Sequence, residues 1–237
     1  METRVKNIVE SIRNWFKING PGCKAVIGIS GGKDSTIVAA LCAAALGHNR
    51  VIGVSMPDEH QDSNLAREIC KYLGITFMEV PIWTMASCFY NVAITDQAKM
   101  NLLPRLRMTV LYAVSQSNNG RVMNTSNLSE DWIGYSTRWG DSVGDLNVLS
   151  NYTASEIRQI GHYLRLPEDW VEKIPDDGLP GSTPDEEKFG FTYETLDRYI
   201  RSGECENIFT RKKIDDMHRK NLFKLKMPES IPYYELG

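Results

Sequence analysis

The chain has few cysteines and no paired pattern among them. Its five cysteines are scattered over 237 residues without a C-x-x-C pair, and its four histidines are isolated. This excludes a disulfide framework and the common zinc and iron–sulfur motifs. The longest apolar run, residues 37–46, is shorter than the roughly 20 residues of a membrane-spanning helix. A net charge of -3 gives no bulk attraction to nucleic acid.

These absences predict a reduced, cytoplasmic protein with neither a nucleic-acid nor a membrane partner. The first residues lack an apolar run, so we expect no signal peptide. With 42% hydrophobic residues, the chain is long enough to bury a full core. We therefore expect one domain over residues 1–237, without internal repeats.

The most informative stretch lies at residues 24–36, where an apolar strand, a polar turn and a helix follow one another. Ser30, Gly31 and Gly32 let the backbone turn sharply and bring its N–H groups close to an anion. The positive end of the following helix faces the same place. Ser35 adds a hydroxyl donor, and Asp34 adds a carboxylate that could hold a metal ion. The stretch predicts a phosphate site.

Two familiar phosphate motifs do not fit this stretch. A Walker A loop needs a Ser or Thr where Asp34 stands, and the G-x-G-x-x-G fingerprint is absent. A plain alternative is a strand-to-helix turn in which Ser30 or Asp34 acts only as a helix N-cap.

Apolar periodicity predicts an alternation of strands and helices. Strands are expected at residues 25–29, 50–57, 75–81 and 121–126, and helices at residues 3–18, after the loop, at 61–73 and at 101–116. This rhythm predicts an α/β fold, a doubly wound, Rossmann-like parallel sheet with helices on both faces. In such sheets ligands bind beyond the carboxyl ends of the strands, here the loops at 30–36, 55–62, 81–100 and 125–145.

The second half of the chain is less regular. Residues 138–152 lack periodicity and are interpreted as an active-site loop. Thr153 and Glu156 have capping-box spacing, and helices are expected at residues 193–202 and 206–221. Residues 176–190 are rich in Asp, Gly, Pro, Ser and Thr, a composition that suits a mobile lid. An idle surface loop is the alternative.

Several segments resemble a known family in the order in which they occur. Residues 30–35, Ser-Gly-Gly-Lys-Asp-Ser, resemble the SGGxDS loop of the N-type ATP pyrophosphatases, which have the adenine nucleotide alpha hydrolase-like fold. Residues 101–108, 124–130 and 134–141 resemble the N-x-x-x-R-x-R-M, G-T-x-x-x-x-E and G-[FY]-x-T-[KR]-[YW]-G-D motifs of ammonia-dependent NAD synthetases. The likeness continues through residues 177–197 and so covers most of the chain.

The resemblance implies a two-step reaction. ATP and deamido-NAD form an adenylated nicotinate carboxylate and pyrophosphate, and ammonia then displaces AMP to give NAD. It also implies Mg²⁺ as cofactor, ATP as co-substrate and a homodimer whose subunits complete the deamido-NAD site together. We expect no glutaminase domain, so the nitrogen source is free ammonia or ammonia passed from another protein.

The resemblance also implies roles for individual residues. Asp34 and Glu130 are the implied Mg²⁺ ligands, and Asp34 and Asp141 are the implied catalytic residues. The implied ATP-binding residues are Gly28, Ser30, Gly31, Gly32, Ser35, Met56, Arg107 and Thr125. The implied deamido-NAD-binding residues are Asn101, Arg105, Tyr135, Arg138, Asp141 and Lys224.

Some of these residues also have ordinary structural interpretations. Asn127 and Glu130 have capping-box spacing, so Glu130 could simply start a helix. Arg107 could be a solvated helix residue, and Tyr135 could belong to the core. Lys33 occupies the variable position of the loop motif and is assigned no role.

Two positions depart from the family pattern. Ala154 stands where the family usually has a phosphate-binding Lys, and Phe223 replaces the His of a His-Lys pair. Losing a cation near phosphates costs on the order of 1–3 kcal/mol of charge-assisted binding. Lys188 or Lys224 could compensate. These departures bear on the catalytic rate more than on the reaction.

Two other functions are compatible with the loop. One is tRNA thiolation or lysidine formation, although such enzymes usually add a basic surface, and the thiolases often carry C-x-x-C. The other is a regulatory domain that binds ATP without cleaving it. Such a domain would not need Asp34, Glu130 and Asp141 together.

Overall fold

A parallel β-sheet forms the centre of the molecule. The structure is a computed structural model that describes residues 1–89, 92, 94–173 and 184–234. The strands are β1 (Lys24–Gly28), β2 (Val51–Ser55), β3 (Thr76–Glu79), β4 (Gly120–Asn124) and β5 (Leu146–Asn147). They lie side by side in the order β3-β2-β1-β4-β5, and every neighbouring pair is parallel. Because β1 is the central strand, the loop after it lies at the middle of the row formed by the carboxyl ends of the strands.

Helices connect the strands and extend the chain beyond the sheet. They are α1 (Glu2–Asn19), α2 (Lys33–Leu46), α3 (Asn64–Tyr72), α4 (Trp83–Ser87), α5 (Asp96–Ser117), α6 (Leu128–Ile133), α7 (Ala154–Tyr163), α8 (Glu168–Val171), α9 (Asp185–Phe189), α10 (Tyr193–Ser202) and α11 (Ile208–Asn221). Two short 3₁₀ turns lie at His48–Arg50 and Leu222–Leu225.

The sheet is covered on both faces. On one face a large apolar cluster joins alternate residues of β1, such as Ala25 and Ile27, to helices α1, α2, α3 and α7. On the other face Val26 and Val54 pack with Val110 and Val114 of α5. Successive strand residues point to opposite faces, so β1 contributes to both clusters. The predicted doubly wound α/β fold is confirmed.

Helix α2 is buried almost all round, whereas the sequence pattern predicts one buried face. The helix packs on β1 and β2 and is also covered by α1, α7 and α8. Its small side chains, including Ala39, Ala40 and Ala43, allow these close approaches. The apolar periodicity of α2 underestimated its burial, because several elements cover the helix from different sides.

Two other expectations need correction. The helical spacing of residues 61–73 predicts that Tyr72 points inward, but Tyr72 is 56% exposed. Its ring packs edge-on against Trp170, and its hydroxyl donates to the carbonyl of Arg165 at 3.1 Å. Helix α5 begins at Asp96 rather than near residue 101, because Thr95 caps it by accepting from the N–H of Ala98.

The region after β4 contains more structure than its sequence pattern suggested. The short strand β5 lies inside the predicted active-site loop, where two residues are too few to give a periodic signal. The capping box of Thr153 and Glu156 is present and starts α7, as predicted. The predicted helices at 193–202 and 206–221 correspond to α10 and α11.

A third apolar cluster packs the C-terminal helices against α6. It contains Ile133 of α6, Phe189 of α9, Tyr193 and Leu196 of α10, and Ile214 of α11. Of the predicted lid at 176–190, residues 176–183 lie outside the described residues. The following segment is anchored, because Phe189 is buried against Tyr193. Within the described ranges, no helix has the length and apolar character needed to cross a membrane.

Gly53 gives a direct test of the packing between β2 and α3. A Cβ on Gly53 would collide with Cys70 Sγ and lie 2.9 Å from Ile29 Cγ1. We expect Gly53→Ala to lower the free energy of unfolding by about 1–3 kcal/mol, because a well-packed core accommodates an extra methyl group poorly.

A double-mutant cycle in urea isolates this contact. Cys70→Ala removes the sulfur, so it should cost about 1 kcal/mol less in the Gly53→Ala background than in wild type. Cys42→Ala, at another fully buried cysteine, is the matched control and should cost the same in both backgrounds. Equal costs for Cys70→Ala in the two backgrounds would contradict the proposed clash.

Candidate active site

The loop at residues 30–35, called loop 30–35 below, is held by its own polar groups. The N–H of Gly32 donates to Ser30 Oγ at 3.2 Å, and Ser35 Oγ donates to the carbonyl of Gly32 at 3.1 Å. Ser30 Oγ and Ser35 Oγ lie 3.3 Å apart. Gly31 has φ +80°, and a Cβ there would lie 2.9 Å from Leu65 Cδ2. Glycine is therefore required at Gly31 by both backbone conformation and space.

The N-terminus of α2 follows the loop without a side-chain cap. Gly32 is the N-cap residue and has no side chain to accept hydrogen bonds from the first amides of the helix. Those N–H groups and the helix dipole favour an anion at this place. Loop and helix together form a site suited to phosphate groups.

Two carboxylates and an ammonium group gather beside the loop. Lys33 Nζ lies 2.7 Å from Asp34 Oδ2, and the charge of Glu130 also acts on Lys33. Asp34 Oδ1 is buried and has no hydrogen-bond partner among the described residues. We call Asp34 and Glu130 the carboxylate pair.

The charges in this cluster shift one another's proton affinity. Burial, followed by the charge of Asp34, raises the pKa of Glu130 to about 8. Burial lowers the pKa of Lys33, but the charges of Asp34 and Glu130 outweigh it and leave that pKa raised. The pair is therefore a costly arrangement of like charges that an additional cation would stabilise.

The fold fixes Glu130 through the helix that carries it. Asn127 caps α6 by accepting from the backbone N–H of Glu130 at 3.0 Å, so the helix start depends on Asn127. Ser129 Oγ donates to Asp197 Oδ1 and accepts from the N–H of Ala154, which ties α6 to α10 and α7. Glu130 is thus held in place from two sides.

A cavity of about 820 Å³ opens at the carboxyl ends of β1, β2 and β4. Its lining contains most of the predicted site residues: Gly28, Ser30, Gly32, Asp34, Met56, Asn101, Arg107, Thr125, Glu130, Tyr135, Asp141 and Lys224. This position agrees with the rule that ligands bind beyond the strand ends of an open α/β sheet. Gly28 keeps the cavity floor open, because a Cβ there would lie 3.2 Å from Met56 Cε.

Arg107 links α5 to the loop after β2. Its Nε donates to the carbonyl of Met56 at 3.2 Å, and its Nη2 donates to Gln61 Oε1 at 2.8 Å. Asp58 lies 3.5 Å from the same Nη2. Burial lowers the pKa of Arg107 although Asp58 opposes the shift. Arg107 is therefore a partly buried side chain that lines the cavity, which argues against a purely solvated role.

Asp141 and its neighbours line the far part of the cavity. The N–H of Thr137 donates to Asp141 Oδ1 at 2.6 Å, and Thr137 Oγ1 donates to Asn101 Oδ1 at 2.8 Å. Asp141 keeps contact with solvent, yet surrounding protein atoms raise its pKa by desolvation. Lys224 Nζ donates to the carbonyls of Gly134 and Ser136 at 2.8 and 3.2 Å.

Four predicted residues do not line the cavity in the single chain. Gly31 and Ser35 act within loop 30–35. Arg105 Nε donates to the carbonyl of Arg138 at 3.4 Å, which places these two arginines together. The guanidinium of Arg138 lies over the rings of Trp139 and Phe223 at 5.0 and 5.2 Å.

The sequence analysis missed two cavity residues. Asp185 is buried, lines the cavity and accepts from the hydroxyl of Tyr135 at 2.9 Å. It lies 50 residues from Tyr135 in an acidic segment that resembles a surface helix. Lys33 was assigned no role, although its ammonium contacts Asp34, the next residue in the chain. The Tyr135–Asp185 contact does not follow from local sequence, because 50 residues separate the two.

The fold and the loop define the chain as an α/β enzyme that uses ATP through a pyrophosphatase-type loop. The comparisons with known proteins narrow this class. The family model for NAD synthase matches residues 4–228. The chain belongs to the NAD synthase family.

Individual relatives agree with this assignment. The NH(3)-dependent NAD(+) synthetase of Finegoldia magna is 34% identical over 234 residues, 95% of this chain and 96% of that protein. The structure of NMN synthetase from Francisella tularensis has a TM-score of 0.87 at 28% identity and covers 97% of this chain and 99% of that one. The NH3-dependent NAD synthetase of Campylobacter jejuni, solved with nitrate, has a TM-score of 0.79 at 27% identity, with coverages of 98% and 99%.

The predicted reaction class is therefore confirmed. The protein is a ligase that forms a carbon–nitrogen bond in ammonia-dependent NAD synthesis, with ATP as co-substrate. The resemblance stated from loop 30–35 and the later motifs identified the correct family.

The raised pKa of Glu130 predicts a pH-dependent stability in metal-free buffer. Between its usual value of 4.5 and about 8, Glu130 keeps its proton in the folded chain and loses it on unfolding. Stability should therefore fall as pH rises through this window and level off above it. Glu130→Gln removes this dependence, so its advantage over wild type should grow from pH 5.5 to pH 8.

Thermal unfolding in EDTA at several pH values measures this effect. Glu68→Gln, at an exposed position of α3, is the matched control and should follow wild type throughout. Parallel curves for wild type and Glu130→Gln would show that Glu130 is ionised in the folded protein across the whole range.

Proposed function

We propose that ATP binds with its phosphates on loop 30–35 and that deamido-NAD occupies the part of the cavity near Tyr135 and Asp141. The observation that carries this proposal is the phosphate loop and the carboxylate pair at one edge of the sheet, open to the same cavity. A nicotinate carboxylate oxygen then attacks the α-phosphorus, and the bond to the pyrophosphate oxygen breaks. Ammonia attacks the carboxyl carbon of the adenylate, AMP leaves, and a proton is released.

Loop 30–35 is proposed to hold the departing pyrophosphate. The free amides at the start of α2 and the hydroxyl of Ser30, which lines the cavity, are donors suited to phosphate oxygens. Ser35 Oγ lies 3.3 Å from Ser30 Oγ and supports it from within the loop. Preorganised donors of this kind stabilise the charge that develops on the leaving group. The internal hydrogen bonds of the loop support this role, because they fix the donors before the nucleotide arrives.

Asp34 and Glu130 are proposed to hold Mg²⁺. Mg²⁺ usually binds one or two carboxylates and completes its shell with water and substrate phosphates. The buried, unpartnered Asp34 Oδ1 supplies a free ligand atom. When bound, the metal would neutralise charge on the phosphates during adenylation.

Other residues are proposed to orient the two nucleotides. Arg107 and Thr125 face the α-phosphate, and the backbone near Met56 takes the adenine. Asn101 and Tyr135 contact deamido-NAD. Asp141, whose pKa is raised by desolvation, accepts the proton that ammonium must lose, since only neutral ammonia is nucleophilic.

A homodimer and a cytoplasmic location complete the proposal. Arg105 and Arg138, both expected at the deamido-NAD site, lie together outside the cavity of the single chain. This placement is consistent with a site that a second subunit completes. The scattered free cysteines suit a reducing compartment.

A second acceptor follows from one comparison. NMN synthetase from Francisella tularensis has a TM-score of 0.87, whereas the Campylobacter jejuni NAD synthetase has 0.79. The name NMN synthetase says that the Francisella tularensis protein makes nicotinamide mononucleotide (NMN). We therefore propose nicotinic acid mononucleotide, the carboxylic acid counterpart of NMN and called the acid mononucleotide below, as a competing acceptor for the same amidation.

One assay tests both acceptors. Protein, ATP, Mg²⁺ and ¹⁵N-ammonium are incubated with deamido-NAD or with the acid mononucleotide, and the products are read by mass spectrometry. Labelled NAD with matching AMP and pyrophosphate is the expected result. A higher kcat/KM for the mononucleotide would move the main substrate to the second candidate. AMP without labelled amide would shift the acceptor to tRNA, and absence of AMP would indicate a non-catalytic ATP-binding domain.

Substitution of the carboxylate pair tests the proposed metal ligands. We expect Asp34→Asn and Glu130→Gln each to lower kcat by at least about a hundredfold. Each substitution removes a proposed ligand of Mg²⁺, and it is the metal that would neutralise the phosphate charge during adenylation. Asp62→Asn is the matched control, since Asp62 lines the same cavity but belongs to another loop. A control as inactive as the two test variants would point to general charge loss.

A further inference from the structure

Lys33 occupies an unfavourable place for a cation. It is the first residue of α2, where the helix dipole is positive, and it is only 4% exposed. Both the dipole and the loss of hydration oppose an ammonium group here. A buried ammonium persists only where nearby anions compensate for these costs.

The compensating anions are the carboxylate pair. Lys33 Nζ contacts Asp34 Oδ2 at 2.7 Å, and the charge of Glu130 also favours the ammonium, whereas Arg158 opposes it. The second oxygen of Asp34 is buried and makes no hydrogen bond among the described residues. The ammonium thus uses one Asp34 oxygen and leaves the other without a partner.

We propose that Lys33 is the resident counter-ion of the carboxylate pair and makes divalent-metal binding depend on the nucleotide. This inference rests on the proposed Mg²⁺ role of Asp34 and Glu130. When both carboxylates are ionised, Lys33 reduces their combined charge from two negative charges to one, and this smaller charge attracts a free divalent cation less than two bare carboxylates would. Phosphates add the missing negative charge, so metal and nucleotide bind together.

The side chain of Lys33 also suits a change of partner. It lines the cavity, and a lysine presents its charge on a flexible four-carbon stem. When a metal ion takes Asp34, the ammonium moves to a phosphate oxygen of the bound nucleotide. Lys33 would then add to the charge that holds the pyrophosphate on loop 30–35.

Mn²⁺ binding, followed by electron paramagnetic resonance, tests this inference without turnover. In nucleotide-free protein, Lys33→Met should lower the Kd for Mn²⁺ by at least about tenfold, because one nearby positive charge is lost. Lys173→Met is the matched control, since it removes a cavity-lining cation outside the cluster and should leave the Kd near that of wild type. With α,β-methylene-ATP present, wild type should bind Mn²⁺ tightly.

The outcomes separate this inference from the proposed metal site. Equal Mn²⁺ affinity in wild type and folded Lys33→Met would overturn the role of Lys33. The metal site would stand in that case if Asp34→Asn still abolished Mn²⁺ binding. No Mn²⁺ binding in wild type with the nucleotide analogue would overturn the metal site itself. Wild type alone gives a second test that needs no variant: tight Mn²⁺ binding without nucleotide contradicts the inference.

Discussion

The arrangement of two carboxylates and one ammonium at the start of α2 is the constraint on which the site depends. Asp34 and Lys33 are neighbours in the chain, but Glu130 comes from α6, the helix that follows β4. Bringing like charges together in a partly buried place is unfavourable, so surrounding structure must hold them. The cap by Asn127 and the ties of Ser129 to Asp197 and Ala154 supply that support.

The distribution of cations around the cavity follows from the same packing. Ala154, where the family usually has a lysine, is fully buried in the apolar cluster of Phe189 and Tyr193. A charged side chain would not fit there without repacking. The cations that line the cavity come from other elements and include Lys33, Arg107, Lys173 and Lys224. The positive charges available to a phosphate in this cavity therefore come from other positions than residue 154.

The substrate end of the cavity is organised by contacts between distant segments. Tyr135, on the turn after α6, is held by Asp185 and packs edge-on against Phe189. Lys224, near the end of the described chain, holds the carbonyls of residues 134 and 136. The C-terminal helices thus shape one end of the cavity, while the sheet and loop 30–35 shape the other.

The sequence by itself determined the strands, the main helices and loop 30–35, because each depends on local spacing. Apolar periodicity identifies β1, β2 and β4, and the small residues Ser30, Gly31 and Gly32 between strand and helix identify loop 30–35. The sequence was least informative where several elements cover one helix, as for α2, or where a strand is very short, as for β5.

The resemblance paired Asp34 with Glu130, but only the tertiary structure decided the contacts around them. The charge of Glu130 acts on Lys33 from about a hundred residues further along the chain, and the Tyr135–Asp185 contact spans 50 residues. No local pattern encodes such pairs, because they depend on where strand order and helix packing place the chain. A lysine in the variable position of the loop can offset the charge of both carboxylates only because the fold brings Glu130 of α6 within range of its charge.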